Sequence, residues 1–158
     1  MQVGSKSSLK SSPAIRNTSL WLCFLFSLTC FSLGYATLNR YDPSLTRGVG
    51  DSQQYFLMTK FDYSEVASPY RFRVLTPTLA GLLVPILSRL PHHSWNVTSL
   101  ALLMINSLFV SLSAIILFQL TTQVGGSGPT ALIASFLYIT CFPVPNGHLA
   151  GLVCPEPD

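Results

Sequence analysis

Charge is what this sequence has least of. From Arg89 to Glu156 it contains no Lys, Arg, Asp or Glu between them, and over all 158 residues only 9% are charged while 49% are hydrophobic. Mean hydropathy is +0.46. A chain this short cannot hide so long an uncharged stretch in an apolar core, which argues against a water-soluble globular domain and for a protein folded in lipid. Ligand-spaced cysteines are also missing. The four cysteines, Cys23, Cys30, Cys141 and Cys154, lie in or beside apolar runs and form no C-x-x-C pair, so the pattern suggests neither a zinc site nor a disulfide framework. They read as small buried apolar residues. The net charge of +3 is small and its cations form no block, which argues against a nucleic-acid partner.

What is present is a series of apolar segments around one charged loop, and the expected fold class is all-α integral membrane. Residues 1–17 are Ser-rich with Lys6, Lys10 and Arg16, a flexible basic tail. Residues 18–38 carry no charge and, at about 1.5 Å per residue, match the roughly 30 Å of a bilayer core as a transmembrane helix. Gly34 and Ala36 give a small-x-small pattern that a cleavable signal peptide would share, but the apolar segments downstream favour a signal anchor. Residues 39–73 hold most of the charge, with turn formers at Asp42-Pro43 and Gly48-Val49-Gly50, and read as an external loop. Within it, 51–61 reads as a short amphipathic helix, with Asp51 as cap and Gln54 three residues on.

Within residues 74–90 the apolar stretch, Val74 to Ser88 between Arg73 and Arg89, is short, and Pro77 and Pro85 interrupt it. An interfacial or re-entrant helix fits, with a short kinked transmembrane helix as the alternative. Residues 97–120 and 131–145 read as two further transmembrane helices, making about three in all, joined by the uncharged turn TTQVGGSGPT. Small residues recur at helical spacing, at Cys23, Ser27, Cys30 and Gly34 in the first span and at Ser99, Ser107, Ser111 and Ala114, with Leu103, in the second. Such stripes let helices approach closely in lipid. Residues 146–158 read as an external segment, and the closing PEPD suggests a truncated chain. The basic tail places the N-terminus in the cytoplasm, although Arg40, Arg47, Lys60, Arg71 and Arg73 in the loop blur that rule.

Two stretches carry the chemistry: GVGDSQQYFLMTKF, and PYRFRVLTP from Pro69 to Pro77. A single span, a loop with Gly-Asp-x-x-x-Tyr, an aromatic-Arg-aromatic-Arg-Val-Leu-Thr-Pro run and a helical hairpin together resemble the N-terminal part of GT-C superfamily glycosyltransferases, which are multispanning and use lipid-linked sugars. The resemblance implies a polyprenyl-phosphate-linked sugar as donor, a bacterial inner-membrane location, and Asp51 as catalytic base or as neighbour of a divalent metal ion. A carboxylate suits the first role because the acceptor hydroxyl must lose a proton as the anomeric carbon becomes positive. Arg71 and Arg73 would hold the departing lipid phosphate, since guanidinium offers a planar, permanently charged donor fork. Tyr55, one helical turn after Asp51, would contact substrate, and Glu156 and Asp158 match a second acidic site.

Each role has a competitor. Asp51 as a helix cap contributes about 1 kcal/mol and needs no chemistry. Arg71 and Arg73, alternating with Tyr70 and Phe72, suit an extended membrane-surface anchor equally well. Tyr55 also suits an interfacial aromatic. His92 and His93 read as loop residues, because adjacent histidines do not point at one ion. Asn96-Val97-Thr98 fits a glycosylation sequon at the mouth of a span, where it reads as chance. A non-enzymatic membrane protein, either an enzyme remnant or an assembly or transport subunit, is the alternative function. Uncharged spans argue against an ion pathway in it.

Overall fold

A computed structural model describes the backbone of residues 13–38, 50–68, 70–90 and 96–141, and the side chains of these except for 13–19, 36–38 and 50–52. The described chain is all-helical, with five α-helices and no strand: α1 (Pro13–Leu38), α2 (Gly50–Thr59), α3 (Leu75–Leu87), α4 (Val97–Gln123) and α5 (Gly128–Thr140). A single 3-10 turn, Tyr70–Phe72, precedes α3.

Helix α4 is the hub, packed against α1, α3 and α5, while α2 rests on α3. It starts where Asn96 caps it, the side-chain oxygen accepting from the Thr98 and Ser99 N–H groups at 2.9 and 3.2 Å. The cap satisfies donors that the first turn would otherwise leave orphaned. Asn96 thus has a structural purpose that its place in a sequon does not convey. The helix ends in a Schellman motif, in which Gly126 N–H donates to the Thr121 carbonyl and Gly125 N–H to that of Thr122. Gly125 adopts φ +92°, a conformation glycine takes without steric cost. The next helix follows at once, with the Ser127 hydroxyl accepting from Thr130 N–H and a proline in its first turn.

Helix α5 therefore begins at Gly128 and ends at Thr140, where Cys141 is already extended. The expected span 131–145 is displaced toward the N-terminus, because Ser127 and Pro129 form a start signal ahead of the apolar run. At 13 residues the helix is about 20 Å long. Residues 142–145 lie outside the described residues. Helix α1 begins at Pro13, inside the segment read as a flexible tail, and α4 runs to Gln123, a turn past the expected 120. Of the described helices only α4, with its 27 residues, is both long and apolar enough to cross a membrane. The apolar part of α1 that is described, Leu20–Tyr35, and helices α3 and α5 are shorter.

Two apolar clusters hold the helices together. Phe26 and Cys30 of α1 meet Leu103, Val110 and Ala114 of α4 and Ile139 of α5, with the Phe26 ring edge-on to Phe136 at 5.4 Å. Ala80 and Leu87 of α3 meet Leu100, Ala101, Leu102 and Ile105 of α4. Small residues lie on the packed faces: Cys30, Gly34, Ser99, Ser107, Ser111 and Ala114 are all buried. Ser135 of α5 ties the hairpin together, its hydroxyl lying 3.0 Å from the Ala114 carbonyl across the interface and 2.9 Å from that of Ala131.

Candidate functional site

The polar residues of interest sit on the loop between α2 and α3. Helix α2 closes with the same hydrogen bonds as α4, Phe61 N–H donating to Met58 and Asp62 N–H to Leu57. Here, however, Phe61 occupies the left-handed position, at φ 61°. A side chain there costs on the order of 1–2 kcal/mol relative to ordinary helical backbone. The Phe61 ring lies beside Gly81 of α3, which places the aromatic group against the neighbouring helix.

Beyond Phe61 the loop is fastened at several points. The Asp62 carboxylate accepts from the Ser64 N–H at 3.1 Å and the Ser64 hydroxyl at 2.6 Å, and these bonds hold its carboxyl below the usual carboxylate range. The Tyr63 hydroxyl is hydrogen-bonded to the Thr78 hydroxyl of α3 at 3.0 Å. Val66 is buried, and the Gln54 side-chain oxygen of α2 accepts from Ala67 N–H at 2.9 Å. Arg71 then folds back over the loop, its Nε donating to the Val66 carbonyl at 2.6 Å and Nη2 to that of Ser64 at 3.2 Å.

Arg73 goes elsewhere. Its Nη1 lies 3.4 Å from the Tyr55 hydroxyl, and its guanidinium carbon is 5.9 Å from the centre of the Tyr70 ring. The two tyrosine rings are themselves edge-to-face at 6.4 Å. Tyr55 is partly buried against the α3–α4 cluster, while Arg73 is exposed. A cation over an aromatic face is held by the ring quadrupole, so α2 and the 3-10 turn together hold one exposed guanidinium.

The extended segment expected for PYRFRVLTP is absent, because Tyr70–Phe72 forms a 3-10 turn with Arg73 N–H donating to the Tyr70 carbonyl. That turn parts the two arginines. The structure brings Arg73 and Tyr55 together and sends Arg71 to the loop carbonyls. Asp51 is the second residue of α2, within the first turn rather than at the cap expected for it. Its side chain lies outside the described residues, as do Glu156, Asp158, His92 and His93. Among the described residues, no group of three or more His, Cys, Asp or Glu comes together that could hold a metal ion. Sequence reasoning gave Tyr70 and Gln54 no part in the site, although an aromatic next to an arginine is the pattern that stacking requires. No family model, curated protein or solved structure matches this chain.

Proposed function

We propose that this chain is a membrane-embedded segment of a glycosyltransferase that moves a sugar from a polyprenyl-phosphate donor to an acceptor hydroxyl. The observation that carries this reading is the contact of the exposed Arg73 guanidinium with both Tyr55 and Tyr70, on a loop packed against apolar helices. A lipid phosphate needs a cation that stays charged and offers paired donors, and a guanidinium provides both. Arg71, bonded to the carbonyls of its own loop, acts by keeping that loop in place.

The membrane part of the proposal rests on α4 and on the outward side chains. Trp21, Phe24 and Leu28 of α1, Leu108, Leu112 and Ile116 of α4, and Leu137 of α5 are exposed. A helix that is apolar on all sides is suited to a large core or to lipid, and this small assembly offers no large core. The N-terminus is assigned to the cytoplasm and the α2–α3 loop to the outside of a bacterial inner membrane, following the basic tail. Asp51, near the start of α2, serves as base for the acceptor hydroxyl. Transfer of labelled sugar from a polyprenyl-phosphate donor, measured in membranes that contain this protein, tests the proposal. Asp51→Asn should lower transfer by about 10²-fold or more at normal abundance; full turnover in that variant would remove Asp51 from the reaction.

A further inference from the structure

We infer that α5 is a half-span that stops near the middle of the bilayer, and that water reaches its end from the side of Asn96. The inference rests on the reading of α4 as a membrane span. Helices α4 and α5 are joined by a short turn and run back alongside one another. Ala114 lies nine residues before the end of α4 and Ser135 seven residues after the start of α5, and the two are bonded at 3.0 Å. Advancing residue for residue from that bond, Thr140 stands about level with Phe109, beside Val110 at the midpoint of Val97–Gln123. Ile139, in the last turn of α5, belongs to the same buried cluster as Val110.

The stop is well defined. Cys141 is already extended, the Thr140 hydroxyl donates to the Phe136 carbonyl at 2.8 Å, and the Cys141 N–H and thiol donate to the carbonyls of Leu137 and Tyr138 at 2.9 and 3.0 Å. Non-helical backbone at such a depth is tolerated only where protein or water covers it. Two observations favour water. Thr140 and Cys141 are exposed. Ser107, spaced to share a face of α4 with Leu103, Val110 and Ala114, keeps its hydroxyl buried without a partner among the described residues. It lies just past the level at which α5 stops, and it calls for a polar neighbour that lipid tails do not supply. Helix α5 itself lines the half of α4 that ends at Val124, so the opening lies toward Asn96. Such a recess receives polar groups inside the apolar layer.

Thiol labelling of the chain in intact cells and in inverted membrane vesicles, which present opposite faces, tests this. The probe is a small, impermeant methanethiosulfonate cation, and modified peptides are quantified by mass spectrometry. Val124→Cys, at an 85% exposed position in the α4–α5 turn, reports water, and Leu137→Cys, at a 65% exposed position one turn before Cys141, reports lipid. The thiolate is the reactive form and desolvation raises a thiol's pKa by several units, so Leu137→Cys should react roughly 10²-fold or more slowly than Val124→Cys. Native Cys141, although deeper than Leu137, should react at least about tenfold faster than Leu137→Cys, and only from the face opposite the one that labels Val124→Cys. Cys141 as slow as Leu137→Cys from both faces overturns the recess and leaves α4 in the membrane. Labelling of Cys141 from the Val124 face, or by a bulky polymer-linked maleimide from either face, overturns the half-span. Fast labelling of Leu137→Cys, equal to that of Val124→Cys, overturns the membrane reading itself.

Discussion

Gly81 of α3 lies directly against the Thr59 carbonyl at the end of α2, so close that a side-chain carbon at position 81 would collide with that oxygen and crowd the Phe61 ring. This contact seats α2, and with it Tyr55, on α3. Alanine at 81 would gain up to about 1 kcal/mol in helix propensity. It would also force apart two backbones, at a typical overpacking cost of about 1–3 kcal/mol. The collision is with backbone and not with a flexible side chain, so the cost should win. Gly81→Ala is expected to speed proteolysis within 60–68 while the α4–α5 hairpin stays protected; an unchanged cleavage pattern would show that α2 is not held there.

Two buried serines should respond differently to the same change. Ser135 bridges α5 to the Ala114 carbonyl, and interhelical hydrogen bonds of this kind contribute about 0.6 kcal/mol in lipid. The Ser107 hydroxyl is buried and finds no partner among the described residues. Ser135→Ala should therefore lower stability by about that amount, and Ser107→Ala should leave it unchanged or raise it. Unfolding of both variants in mild detergent compares them directly; equal losses would contradict the assignment.

The Asp62 carboxylate is bonded to Ser64 in the folded loop, and its carboxyl is held below its ordinary value. A depressed folded value means that the turn is supported above the ordinary carboxylate range and loses that support as pH falls through the lowered one. The Ser64 amide resonance should shift as pH passes through that lowered value, and Asp62→Asn should abolish the shift. A Ser64 amide that titrates at the ordinary carboxylate value would show the turn to be open in solution.

The helical architecture was legible where the signal is local. The uncharged run from 97 onward marks α4, and the small residues at Ser107, Ser111 and Ala114 mark its packing face. Boundaries were less legible. The start of α5 lay in Ser127 and a following proline, a signal that the apolar run 131–145 overshadowed. At the candidate site, alternation of Tyr70, Arg71, Phe72 and Arg73 suggested an extended strand-like segment. The turn found instead is accompanied by contacts from other parts of the chain: Gln54 reaches Ala67, and Tyr63 reaches Thr78. A pattern spanning only Tyr70 to Arg73 carries no information about such partners, so the separation of the two arginines could not be read from it.

The central claim is that Arg73 holds the donor phosphate, and the most direct measurement is the affinity of polyprenyl phosphate for the parent chain and for Arg73→Lys. Lysine keeps the charge but loses the paired donors and the guanidinium's contact with the Tyr70 ring. The account predicts binding by the parent and a loss of roughly tenfold in the lysine variant, equivalent to about 1.4 kcal/mol, with membrane insertion unchanged. Equal affinity in the two proteins would contradict it, and would leave Arg73 as a charge at the membrane surface.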